Sequence, residues 1–257
     1  MAPAIRIGLL GVHGLHEQLT QAGAIASERT RRKLELVDCS HILRIEPELS
    51  GSIAKSRLIT AARALKEQLN GNLRAIVVVG NGHELGYLIH ALGMETDVAD
   101  SHVDAGGPIS PRTPRSPTIN YGTYLADAVR DGHTRPEKIT FFKGRPEPEM
   151  QYFFTEKLQG INVRDANELR NARSPARDID VDALEQASGL PSSYGHGDCK
   201  FEDLKHSLIK YPPVALGLFE IMTPALQRKA EKGQQIPQKL AELITALYEG
   251  HAARQKE

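Results

Sequence analysis

Ala75-Ile76-Val77-Val78-Val79-Gly80-Asn81-Gly82-His83 is the stretch on which the fold turns, and a helix candidate, Glu84–Leu92, follows it directly. An unbroken apolar run cannot alternate between a dry and a wet face. It suits a strand covered on both sides, as in a parallel sheet. The glycines at 80 and 82 then break the strand. The same rhythm extends outward in both directions, with apolar runs at Ile5–Leu10, Leu34–Val37, Ile139–Phe142 and Val214–Ile221. Weaker runs fall at Thr96–Ala99, Ile161–Val163 and Ile179–Val181. Between them lie helix candidates at Ser56–Leu69, Tyr121–Asp131 and Pro237–Tyr248. In the last of these, Leu240, Leu243, Ile244 and Leu247 share one helical face. Strand and helix in alternation predict an α/β fold with a parallel sheet.

Three stretches rich in Pro, Gly and Ser interrupt the rhythm: Gly106–Thr118, Gly144–Glu149 and Ser188–Asp198. Each adjoins a strand candidate, so they read as loops of a single domain spanning residues 1–257. That length is enough to bury a sizeable core. Lys plus Arg and Asp plus Glu number 32 each, which gives no general attraction to nucleic acid or to an anionic membrane. Cys39 and Cys199 form no metal or redox spacing. The opening MAPAIRIGLLGV has no basic leader, and no apolar run reaches the roughly 20 residues that span a bilayer. The expectation is a soluble, cytoplasmic protein.

Ligands of open parallel sheets gather beyond the carboxyl ends of the strands. His83 falls just past Ala75–Val79, and Asp100-Ser101-His102-Val103-Asp104 follows the Thr96–Ala99 run. Asp180 and Asp182 close another run, and Glu220 ends the Val214–Ile221 run. In an extended segment, residues two apart point the same way, so Asp100, His102 and Asp104 can converge, as can Asp180 and Asp182. Several carboxylates packed together repel and resist burial, and divalent cations resolve both difficulties. Carboxylate and imidazole donors without thiolate suit Mn²⁺ and similar ions, which predicts a two-metal site.

Taken together, these segments resemble the arginase-like ureohydrolase family, within the wider arginase/deacetylase fold. Val77–His83 is similar to that family's first metal-histidine turn, and Asp100–Asp104 to its central DxHxD motif. Ile179–Leu184 is similar to its third motif, and Leu218–Pro224 to its last strand. The resemblance implies a three-layer α/β/α domain with a mostly parallel, roughly eight-stranded sheet. It implies two Mn²⁺ ions per chain, bridged by Asp100 and Asp180. His83 and Asp104 would complete one ion, and His102 and Asp182 the other. A metal-activated water would cleave a guanidino or amidino C–N bond and release urea, with Asp104 relaying the proton and Glu220 pairing with the substrate guanidinium. The implied partners are a small guanidino substrate or an arginine-containing peptide, and further copies of the chain in a homo-oligomer.

The chain departs from the family where a mobile His-Gly is usual, because it reads Asn120-Tyr121-Gly122-Thr123. Tyr121 and His196 are the candidates to replace that histidine as proton carriers, while His13 and His16 read as loop residues. The loop GGPISPRTPRSPT also differs from the family's clamp for free arginine, which favours a peptidyl substrate. Three alternatives stay open. One is a single-metal deacetylase-type amidohydrolase of the same fold, and another a catalytically silent metal-binding relative. The third is a metallophosphoesterase, suggested by Gly80-Asn81-Gly82-His83-Glu84.

Overall fold

Ten strands and six helices of the computed structural model lie within residues 4–31, 33–45, 52–93, 100–104, 118–120, 123–144, 160–191, 196–222 and 235–256, which are the ones it describes. The strands are β1 (Ile5–Gly11), β2 (Leu34–Asp38), β3 (Ser52–Ala54), β4 (Ala75–Val79), β5 (Asp100–Asp104), β6 (Thr118–Asn120), β7 (Ile139–Lys143), β8 (Asn162–Asp165), β9 (Ala176–Asp180) and β10 (Ala215–Phe219). The helices are α1 (His16–Arg29), α2 (Lys55–Gly71), α3 (Gly86–Gly93), α4 (Tyr124–Arg130), α5 (Phe201–Lys210) and α6 (Ile236–Arg254).

Eight strands form one sheet in the order β2-β1-β4-β10-β9-β5-β7-β8, and every neighbouring pair is parallel. The small β3–β6 pair is antiparallel. Two apolar clusters flank the sheet. One packs α1, α5 and α6 against Ile7, Val77, Ile179 and Leu216, and the other packs α2, α3 and α4 against Leu10, Val78, Phe141 and Phe219. The result is the three-layer α/β/α arrangement that continuous apolar strands require. No described helix is long and apolar enough to cross a membrane.

Several segments differ from expectation for identifiable reasons. The expected strand at Thr96–Ala99 lies outside the described residues, and Asp100–Asp104 is itself the strand β5. The Ile179–Val181 run is the end of a longer strand, β9, whose polar residues Arg177 and Asp178 are fully buried. The Arg177 guanidinium donates to Ser207 Oγ at 2.8 Å and to the Ala172 carbonyl at 2.9 Å, tying β9 to α5. Burial lowers its pKa to about 9. Apolar periodicity cannot reveal a strand held in this way. His16 is not a loop residue; it opens α1, with its ring 2.8 Å from Ser40 Oγ.

His251, in the last turn of α6, sets an acid limit on the fold. It is buried with Nε2 3.1 Å from the Pro213 carbonyl, and burial lowers its pKa to about 4. Between pH 6.5 and that value the unfolded chain takes a proton that the folded chain resists, so stability falls as pH falls. From this group alone, the loss expected by pH 4 is on the order of 3 kcal/mol. Urea unfolding at stepped pH will show a shallower acid slope for His251→Gln than for the wild-type chain.

Candidate metal centre

The edge of the sheet at the carboxyl ends of β4, β9 and β10 collects the charged side chains. β4 is wholly buried and ends at Val79. The chain turns through Gly80–Gly82, and His83 opens one tight helical turn, His83–Leu85, that leads into α3. A Cβ on Gly80 would collide with the side chains of Leu85 and Val12, and one on Gly82 with the Glu84 carboxylate. At Gly80 this close approach of Leu85 and Val12 favours a residue without a Cβ, and it lets the chain turn toward His83.

β9 ends at Asp180, whose Oδ1 accepts the Asp182 backbone N–H at 2.7 Å. That bond caps the short turn Val181–Ala183, so Asp182 reaches the edge from a helical turn and not from an extended segment. β10 ends at Phe219, and Glu220 follows with φ at 58°, a left-handed conformation uncommon outside glycine. His13, at the end of β1, has φ at 55°. Both residues lie on the same edge, where such strain tends to be tolerated for function.

His83 Nε2 stands 3.2 Å from Asp180 Oδ2 and 4.0 Å from Glu220 Oε1. His83, Asp180 and Asp182 are 8 %, 5 % and 3 % exposed, so the cluster is largely withdrawn from water. Burial pushes the Glu220 carboxyl up to about 7; His83 opposes the shift, and the nearby Asp180, Asp182 and Glu84 carboxylates add to it. A buried excess of negative charge around one imidazole is what a divalent cation would neutralise. Among the described residues, no three His, Cys, Asp or Glu side chains form a ready ion site. The other expected ligands lie on β5, where His102 pairs with Asp178 of β9. In the sheet, Asp104 ends β5 beside Lys143 at the end of β7.

The other expected residues fall out as follows. His196 is half-buried at the same edge, because Gly197 donates to the Leu184 carbonyl at 3.0 Å and Asp198 to the Gly144 carbonyl at 2.8 Å. Tyr121 and all of the Gly106–Thr118 loop except Thr118 lie outside the described residues. His13 is buried, accepts the Asn81 backbone N–H at 3.2 Å, and stands 3.6 Å from Glu84 Oε1; burial lowers its pKa to about 4.

Two residues beside the centre were not singled out from sequence. Glu84 is fully buried, and the Tyr124 ring lies edge-on 6.0 Å from that of His83. Tyr124 Oη also donates to Asp178 Oδ2 at 3.0 Å, and His90 Nε2 is 3.6 Å from the other oxygen of that carboxylate. Asp178 is thus engaged inside the molecule, one turn of the strand repeat below Asp180. The only sequence signal for Tyr124 was its place at the start of a helix candidate.

No family model and no characterised protein matches the sequence. Solved structures match the fold over nearly the whole chain. A hypothetical agmatinase from Burkholderia thailandensis superposes with a TM-score of 0.69 at 16 % identity, covering 98 % of this chain and 88 % of that one. The chain has the arginase fold. Arginase from Bacillus cereus gives a TM-score of 0.66 at 14 % identity, with 95 % and 98 % of the two chains covered. Proclavaminate amidino hydrolase from Streptomyces clavuligerus gives 0.63 at 13 % identity, with 97 % and 94 % covered.

Within this arginase fold, the Asp178 cluster is separable from the edge. Tyr124→Phe removes one donor from a buried carboxylate and should cost about 1–3 kcal/mol in chemical unfolding.

Proposed function

We propose that this chain is a metal-dependent hydrolase that cleaves a guanidino or amidino C–N bond and releases urea. The observation that carries the proposal is the meeting of His83, Asp180, Asp182 and Glu220 at one edge of an arginase-fold sheet. Residues 1–257 are taken as one domain, since strands from both ends of the chain enter the same sheet.

His83, Asp180 and Asp182 would hold the cation, joined by Asp104 from β5, and oxygen and nitrogen donors of this kind suit Mn²⁺. When bound, the ion supplies a Lewis acid that lowers the pKa of water into the neutral range. Glu220, at the rim of the cluster, would receive the substrate's planar cation through a charge-assisted contact. A guanidinium placed there would favour the ionised carboxylate over the neutral form that burial promotes. Water adds to the trigonal carbon as the C–N bond breaks, and the departing amine nitrogen needs a proton. His196, brought to the edge by the Gly197 and Asp198 backbone bonds, is the candidate donor. Asp104 would take the proton lost by the water. The unusual Gly106–Thr118 loop supports a substrate other than free arginine, with peptidyl arginine first in line.

The test is urea and ammonia release from arginine, agmatine, guanidino acids and arginine-containing peptides, with Mn²⁺ supplied. Activity on at least one substrate is expected, and silence across the panel sinks the proposal. Asp180→Asn should abolish turnover. Glu220→Gln should lose about 1.5–3 kcal/mol of substrate binding, seen chiefly as a raised KM, because the neutral amide forfeits the charge in the hydrogen bond.

A further inference from the structure

β1 lies beside β4 in the sheet, and Gly11 pairs with Val79, the last residue of β4. The Val12 backbone N–H donates to the Val79 carbonyl at 3.0 Å, which holds the two segments together one residue past the strands. His13 then stands level with the turn that delivers His83. Its Nδ1 accepts the Asn81 backbone N–H at 3.2 Å, and Asn81 is the middle residue of that turn. A Cβ on Gly80 would lie 3.3 Å from the same nitrogen, so the imidazole packs against the turn as well as bonding to it.

Two costs attach to a histidine in this place. Its φ of 55° is left-handed, which glycine adopts freely and a residue with a Cβ does not. The ring is also only 1 % exposed, and a polar group withdrawn from water is unfavourable unless it is hydrogen-bonded. Glycine would avoid both costs, but it offers no acceptor. The bond from Asn81 requires Nδ1 without a proton, which puts the proton of the neutral ring on Nε2. Burial lowers the pKa to about 4 and keeps the ring neutral near pH 7. Nε2 faces Glu84 Oε1 at 3.6 Å, beyond hydrogen-bond range. The imidazole therefore meets the chain on both sides of His83, at Asn81 before it and at Glu84 after it.

We propose that His13 is a positioning residue of the metal centre, whose imidazole holds the Gly80–Gly82 turn and so sets where His83 meets Asp180. This rests on the metal-hydrolase reading and adds to it a residue from β1, a strand that supplies none of the expected ligands. The physical need is clear from the turn itself. Gly80 and Gly82 give it wide conformational freedom, and fixing a free backbone costs entropy when a ligand binds. A backbone N–H tied to the neighbouring strand removes that freedom before the ion arrives.

The experiment uses the full chain, stripped with chelator and titrated with Mn²⁺ by calorimetry, beside His13→Gly and His13→Asn. Glycine keeps the left-handed backbone and loses the acceptor. Asparagine tolerates the same backbone and offers Oδ1 in place of Nδ1. His13→Gly should bind Mn²⁺ about 10–100-fold more weakly, the usual loss when a group that orients a metal ligand is removed. His13→Asn should stay close to the wild-type affinity. Circular dichroism and urea unfolding of the metal-free chains establish that each variant is folded. A folded His13→Gly with wild-type affinity overturns the inference, and so does a His13→Asn that loses as much as glycine; both leave the hydrolase reading standing. Nitrogen NMR of the wild-type ring should show a neutral imidazole protonated at Nε2 near pH 7. A proton on Nδ1 is incompatible with the Asn81 bond and overturns the inference even where a variant fails to fold. A wild-type chain that binds no Mn²⁺ overturns the metal reading and this inference with it.

Discussion

Parallel pairing in a fixed register is the constraint on which everything else in this molecule rests. Because all eight strands of the main sheet run the same way, their carboxyl ends open on one edge. Each strand end then hands the next few residues to a common space. His83 arrives from β4, Asp180 and Asp182 from β9, and Glu220 from β10. The side-chain repeat of a strand is two residues, so a slip of one would send Asp180 to the other face of the sheet. A slip of two would exchange it for Asp178, whose carboxylate is already committed to Tyr124. Register thus separates a buried structural aspartate from its chemical neighbour two residues away.

Collecting acids on that edge is costly, and the local backbone shows how the cost is accommodated. Asp180 is anchored by the Asp182 backbone N–H, Glu84 lies against His13, and His83 sits beside the Asp180 and Glu220 carboxylates. Glu220 and His13 hold left-handed conformations that a freely chosen loop would avoid. Apolar packing on both faces keeps these residues in place, because β4, β9 and β10 are buried throughout. A site with crowded like charges is poised to take up a cation, and a rigid sheet prevents it from relaxing by spreading apart.

Much of the frame was legible in the sequence. The Ala75–Val79 run and its glycine-broken end could be read directly, since unbroken apolar residues have few other uses. β9 was legible only in its last residues. Its buried Arg177 owes its place to Ser207 and to the Ala172 carbonyl, partners far from it in spacing or in kind. Helix α1 escaped notice because its apolar positions are diluted by charged and small residues, whereas α5 was missed although Phe201, Leu204 and Leu208 share one face. The DSHVD stretch shows the limit most clearly. Its residue types and spacing match a metal motif, and in the sheet it is the strand β5, whose pairing with β7 and β9 no local pattern reveals.

By itself, the sequence determined the class of fold and the strand ends at which acidic and imidazole side chains would appear. These follow from local chemistry: apolar runs, glycine turns and ligand type are properties of short segments. Which of those side chains meet was settled only by tertiary structure. Pairing is a relation between strands distant in sequence. The level of one strand against the next is set by the packing of whole helices on both faces, and no single segment encodes it. That is why His83 and Asp180 come together and why Asp178 does not join them.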